Sequence, residues 1–352
     1  MPQLDALRAF AVAGVAISHW VPKSYQFGLP WWAGVELFFV LSGFLITGIL
    51  LRCRDLPDVR YSLRAFYMRR FLRIFPLFYG VLFAAVVLDL PPVRETFWWH
   101  VTYLSNFQVL QAGVWPGMVS HFWSLAVEEQ FYLLWPAIIL FLPAGTVVRA
   151  VAGLCVVGCL SKYGLKLILT DNPMLGVLPT SAFVALGLGA ALACARGTQA
   201  WGRLGRILGY GLPVYALLFG IKILAFRDLP HSSLEDLPLV AGLAWLVYRA
   251  SDGFDGLVGT IMTAPGLLYL GKISYGLYVL HNFAGFPVAI FAKIVHVEGL
   301  RYGLVGLFLK TGFTVLGASL SWHFFERPIN ELKRFYPYRK PIDQDERGLT
   351  EG

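Results

Sequence analysis

The feature that most constrains this chain is a succession of apolar runs, each near the length that crosses the hydrocarbon layer of a membrane. They lie near Leu4 to Val21, Trp31 to Leu51, Phe71 to Leu90, Phe122 to Leu142, Val147 to Leu169, Leu175 to Cys194, Ile207 to Phe226, Leu237 to Tyr248, Gly266 to Phe291 and Tyr302 to Phe324. In lipid the backbone has no water to bond, so runs of this kind are expected as helices, and the chain as an all-α polytopic bundle of about ten crossings. A content of 57% apolar and 14% charged residues excludes an ordinary soluble domain. The 352 residues are nearly used up by such helices and their connections. Residues 1–340 are therefore expected as one membrane domain, followed by a polar, disordered tail over 341–352 with no room for an appended soluble domain.

Charge sets the expected orientation. The loop after the second run carries Arg52, Arg54, Arg60, Arg64, Arg69, Arg70 and Arg73. With the N-terminus in the cytoplasm, nineteen Lys and Arg fall on the inner side and eight on the outer. The positive-inside rule then places both termini in the cytoplasm, with an even number of crossings. The net charge of +8 follows from this bias and gives no reason to expect nucleic acid as a partner. The first run has no positive residue before it and holds Arg8 within it, which fits a cleaved signal peptide poorly. Cys53, Cys155, Cys159 and Cys194 lie in or beside the runs without a pairing framework and read as small apolar residues.

Ionisable groups cost free energy in hydrocarbon, so those inside the runs read as lining a polar cavity. His19 follows Arg8 by eleven positions, which returns it to the same helix face about 16 Å further along. On the second helix, Glu36 is expected at about the depth of His19, close enough to pair across a short loop. A carboxylate on one imidazole nitrogen would make the other a general base for a hydroxyl; the alternative is an ion pair that only joins two helices.

In His121-Phe-Trp-Ser-Leu-Ala-Val-Glu-Glu, His121, Ser124 and Glu128 share one helix face while Glu129 points about 100° away. One acid is thus expected at the cavity and the other in a structural bond. No G-x-S-x-G elbow or strand pattern supports a serine hydrolase site. The run Arg64-Ala-Phe-Tyr-Met-Arg-Arg-Phe-Leu-Arg suits the phosphates and base of a nucleotide-bearing donor such as coenzyme A, although anionic lipids also explain juxtamembrane arginines. The ninth run carries Lys272, Ser274, Tyr275, Tyr278 and His281; Ser274, Tyr278 and His281 form a polar stripe expected to face the same cavity, His281 also fitting a helix-to-helix hydrogen bond. His323, Glu326 and Arg327 before Pro328 fit a helix end with charge pairing at the interface.

Leu4-Asp-Ala-Leu-Arg-Ala-Phe with His19, Gly34-Val-Glu-Leu-Phe-Phe-Val-Leu-Ser-Gly-Phe, Arg69-Arg-Phe-Leu-Arg-Ile-Phe-Pro, Trp123-Ser-Leu-Ala-Val-Glu-Glu-Gln-Phe-Tyr, Ile273-Ser-Tyr-Gly-Leu-Tyr-Val-Leu-His and Phe325-Glu-Arg-Pro occur in this order. Together they resemble the acyltransferase 3 family over nearly the whole chain. The resemblance implies a bacterial inner-membrane O-acyltransferase, an enzyme moving an acyl group other than an aminoacyl group. Its donor would be cytoplasmic acyl-CoA, with acetyl-CoA foremost, and its acceptor a hydroxyl of a surface or secreted glycan. It implies catalytic roles for Arg8, His19, Glu36, Glu128 and Glu129, and donor binding by Arg70 and Arg73 of an R-x-x-R motif, with Arg64 and Arg69 beside them. Many relatives append a periplasmic SGNH hydrolase-like domain. No metal and no permanently bound cofactor is expected. A small-molecule or lipid-linked acceptor is the alternative; a secondary transporter lacks the paired broken helices in corresponding halves, and a non-catalytic scaffold would leave His19 and Glu36 dispensable.

Overall fold

The computed structural model describes residues 1–168, 172–225 and 233–340. The expected tail over 341–352, and the run ends at Leu169 and Phe226, lie outside the described residues. Each of the ten apolar runs is helical, and there is no strand among the described residues. The helices that follow the apolar runs are α1 (Pro2–Trp20), α2 (Ala33–Arg54), α3 (Val59–Val87), α4 (Phe122–Phe141), α5 (Ala144–Cys159), α6 (Pro179–Ala195), α7 (Ala200–Gly209), α8 (Gly211–Ala225), α9 (Ser233–Asp252), α10 (Pro265–Lys272), α11 (Ser274–Leu280), α12 (Gly285–Ile294) and α13 (Gly303–Ser321). Local chemistry sets their ends. Asp58 accepts the amide of Tyr61 at 2.8 Å to cap α3, and Pro2, Pro179 and Pro265 stand in the first turns of α1, α6 and α10, where no amide hydrogen is missed.

Six helical stretches among the described residues are long and apolar enough to cross a membrane: Ala33–Arg54, Val59–Val87, Gly117–Phe141, Ala144–Gly164, Ala200–Ala225 and Gly303–Phe335. The segment Ser274–Phe283 with Gly285–Ile294 makes a seventh if its 58° bend is one broken crossing. The chain is thus a multi-pass membrane protein. The ninth run, read from sequence as one helix, is divided into α10, α11 and α12. The break at His281 holds because side chains take up the freed backbone groups: Trp20 Nε1 donates to the His281 carbonyl at 3.0 Å, and His281 Nδ1 meets the Tyr278 carbonyl at 2.6 Å.

α2 is the hub, packed on α1, α4, α6 and α9. Its seam with α6 is made by glycines. A Cβ on Gly43 would lie 2.0 Å from the Leu186 carbonyl oxygen, and one on Gly189 would lie 2.1 Å from that of Val40. The two backbones therefore touch, as small residues allow between helices in lipid. Gly43→Val must push them apart and is expected to lower stability by about 1–3 kcal/mol. Thermal unfolding in detergent measures this, and an unchanged midpoint would contradict the seam.

Among the described residues two short π-helical stretches interrupt α-helical geometry, Leu160–Gly164 after α5 and Trp322–Glu326 after α13. Each carries a buried ionisable side chain, Lys162 and Glu326 respectively. A π turn inserts one residue and re-aims the side chains near it. Both stretches bring a charge into the bundle that an unbroken helix would place elsewhere.

Candidate active site

α1 runs from an arginine-rich end of the bundle to a histidine-rich end, and the site is strung along it. At the arginine end a cavity of about 720 Å³ is lined by Asp5, Arg8, Arg70, Arg73 and Lys272 beside Tyr269 and Trp322. Arg8 is ion-paired with Asp5 one turn earlier. Arg70 and Arg73 share a face of α3 at i, i+3. Arg8 and Arg70 are the cations that oppose Arg73, with Glu326 the nearby anion. Glu326 itself is buried and accepts from Ser321 Oγ at 2.8 Å, so it is not the interfacial end-pair that its sequence position suggested. The Nε of Arg70 has no protein partner. Cations crowded in a site of low dielectric call for an anion.

The other arginines of the run are elsewhere. Arg64 is exposed. Arg69 donates to the Lys333 carbonyl at 2.8 Å and the Tyr336 carbonyl at 3.1 Å, and sits 4.9 Å over the ring of Tyr338. It fastens the end of the described chain to α3. Of the four arginines expected at a donor, Arg70 and Arg73 line this cavity, joined by Arg8 and by Lys272, which sequence reading did not single out as a donor contact; Arg64 and Arg69 are not among its lining residues.

The same three arginines also line a tighter cavity of about 110 Å³ toward the centre, with Ser42, Ser124, Glu128, Glu129, Tyr132, Ser274, Tyr275 and Tyr278 around it. Ser42 Oγ donates to Glu128 at 2.6 Å, so Tyr132 OH, 2.9 Å from Ser42, is the donor to Ser42. Glu129 also lines the cavity, and its Oε1 has no partner. The expected division, one acid for the cavity and one for structure, is not what the structure shows. The cavity is wrapped by α1, α2, α3, α4 and α11, and side chains 100° apart on α4 both reach it. Tyr275 OH donates to the Ile74 carbonyl at 2.7 Å, bracing α11 on α3.

Ser124 is no serine nucleophile of the hydrolase kind. Its hydroxyl is bonded to Tyr278 OH and lies 3.1 Å from the His121 carbonyl, while His121 directs Nε2 to the Val279 carbonyl at 3.1 Å and Nδ1 to Asn282 at 3.0 Å.

At the histidine end His19 is exposed on the last turn of α1. It does not meet Glu36. Its Nδ1 lies 2.9 Å from Nε2 of His281, with ring centroids 5.0 Å apart. Glu36 instead accepts from Lys162 Nζ at 2.6 Å, with Asp236 3.8 Å from the same ammonium. The expected Glu36–His19 pair is therefore corrected: α1 and α2 meet with Gly34 against the Ala11 carbonyl and Gly14 against Trp31, which sets Glu36 deeper along α1 than His19, and its carboxylate meets the ammonium carried by the π turn at Lys162. Between the cavity and His19 stands Tyr278, its hydroxyl on Ser124, its ring edge-on to Phe38 at 5.6 Å and 5.6 Å from the His281 ring. Arg8 lines the cavity; His19 is not among its lining residues.

The arrangement suits chemistry with a phosphate-rich molecule at one end and a hydroxyl compound at the other, and known proteins bear on it. A family model described as an acyltransferase domain matches residues 1–323. YrhL of Bacillus subtilis is 30% identical over 369 residues, covering 94% of this chain and 55% of the relative. The peptidoglycan O-acetyltransferase OatA of Listeria monocytogenes is 28% identical over 376 residues, covering 94% of this chain and 56% of the relative. The O-acetyltransferase OatA of Staphylococcus aureus is 26% identical, with 94% and 57% covered. The chain spans just over half the length of these relatives. No solved structure matches it. On a family match that takes in nearly every helix described above, this chain is a member of the acyltransferase family.

Proposed function

We propose that the chain transfers an acetyl group from cytoplasmic acetyl-CoA to a glycan hydroxyl, as a bacterial inner-membrane O-acyltransferase with about ten crossings and both termini in the cytoplasm. The observation that carries the reading is the placing of Arg8, Arg70 and Arg73 on the walls of both cavities. The larger cavity, with Lys272 added, receives the phosphates of the donor. The tighter one, bounded by Glu128 and Glu129, receives the thioester arm. His19 at the opposite end acts on the acceptor, as a general base or as a transient carrier of the acyl group. Glycan as the acceptor rests on relatives named for O-acetylation of peptidoglycan.

Arg70→Ala combined with Arg73→Ala removes two cations from the donor's phosphates. The expected result is a rise of about 10–100-fold in the donor KM in proteoliposomes, with a smaller change in kcat, corresponding to loss of charge-assisted hydrogen bonds. An unchanged donor KM would return these residues to topology and lipid contacts.

A further inference from the structure

We infer that His281 is a positioning residue that holds His19 in the Nδ1-protonated tautomer, leaving the Nε2 lone pair of His19 free on the exposed side of the bundle. This rests on the acyl-transfer reading for its chemistry, but the hydrogen-bond argument stands without it. The Tyr278 carbonyl can only accept, so His281 Nδ1, 2.6 Å away, carries the hydrogen. A neutral imidazole has one such hydrogen, and Nε2 of His281 is then an acceptor. The atom facing that acceptor at 2.9 Å is Nδ1 of His19, which must donate. Nε2 of His19 is left without a hydrogen. The same logic runs through the neighbouring ring: His121 Nε2 donates to the Val279 carbonyl and its Nδ1 accepts from Asn282.

An unpaired charge is costly to bury, and His281 and His121 are both buried. His281 lies with its centroid 5.0 Å from His19 and 4.7 Å from His121, so protonating a second ring beside a first meets like charge. Among the described residues no carboxylate bonds to any of the three rings, the nearest expected one, Glu36, being held by Lys162. The backing ring is itself fixed. His281 and Phe283 bound the 3₁₀ turn between α11 and α12, and Trp20, the neighbour of His19, donates to the His281 carbonyl. One turn of chain thus orients the base in the way a carboxylate does in other acid–base sites.

In transfer, Nε2 of His19 takes the acceptor's hydroxyl proton as that oxygen attacks the thioester carbonyl. The new C–O bond forms, the C–S bond breaks, and the departing thiolate takes the proton from His19. Throughout, Nδ1–H stays on His281.

The test uses the full chain in bilayers, as wild type, His281→Leu and His281→Gln, with ¹⁵N-labelled histidine and the His19 signal assigned by its loss in His19→Gln. In the wild type the His19 nitrogen shifts are expected to show Nδ1 protonated and Nε2 bare. His281→Leu is expected to lose that pattern and about 10²-fold in kcat with the donor KM unchanged. His281→Gln, whose side-chain carbonyl accepts from Nδ1–H, is expected to recover most of both. Nε2-protonated His19 in the wild type overturns the inference, as do Gln and Leu variants of equal activity. If the leucine variant does not fold, the wild-type shifts and the glutamine variant decide. A wild type with no transfer from any acyl-CoA would sink the acyl-transfer reading alone, since the nitrogen shifts still report the tautomer.

Discussion

His19→Ala is expected to reduce acetyl transfer by about 10²–10⁴-fold, the range that a general base supplies, while donor binding and fold are retained. The separation of roles follows from distance along α1. Arg8, which touches both cavities, lies about 16 Å of helix from His19, so removing the imidazole leaves the donor's phosphate contacts in place. His19 is also exposed at a helix end, where truncation creates no internal void. Acetyl-CoA binding by titration and turnover in proteoliposomes read the two properties apart. Undiminished turnover would remove His19 from the reaction.

Lys162→Met is expected to have the largest effect on stability. It leaves Glu36 and Asp236 buried without their common cation, and removing one partner of a buried charge cluster costs about 3–5 kcal/mol. In a Glu36→Leu background the same substitution should cost less, because one of the two carboxylates that Lys162 serves is gone, and the difference measures the Glu36–Lys162 coupling. Thermal unfolding of the four variants in detergent gives the cycle. Equal costs in both backgrounds would mean the Glu36–Lys162 pair contributes nothing. Activity adds a second readout: if Glu36 served His19 directly, Glu36→Leu would abolish transfer in protein that still folds.

Much of the helical framework is legible in the sequence because lipid leaves the backbone few choices, and a long apolar run has little alternative to a helix. Part of the site is legible for the same reason. Arg8, Glu128, Glu129, Tyr275 and Tyr278 are polar where polarity is expensive, and the cavity collects them together with Arg70 and Arg73, which stood out by their basic, aromatic run. The partners are another matter. Helical periodicity assigns a side chain to a face but fixes neither the register of two helices nor the residue across the gap, so Glu36 and His19 each found another partner. Lys162 was within reach of the same reasoning that singled out Arg8, as a cation inside an apolar run. What hid its direction is the π turn, whose extra residue breaks the 100° count. Glu326 escaped for the same cause. Arg69 and Arg70 are adjacent in one basic run, and only the fold separates a strut to the chain's end from a cavity wall.

Tyr278 has a consequence at the scale of the cell. A bacterial membrane stores energy as a voltage, and each unit charge that slips through dissipates about 2.3 kcal/mol per 100 mV. Polar side chains strung from one face of the bundle to the other would be a wire for water and protons. The ring of Tyr278, tethered to Ser124 and packed edge-on to Phe38, lines the cavity on the side next to His281. On the acyl-transfer reading, that ring must part for the acyl arm and close again against protons.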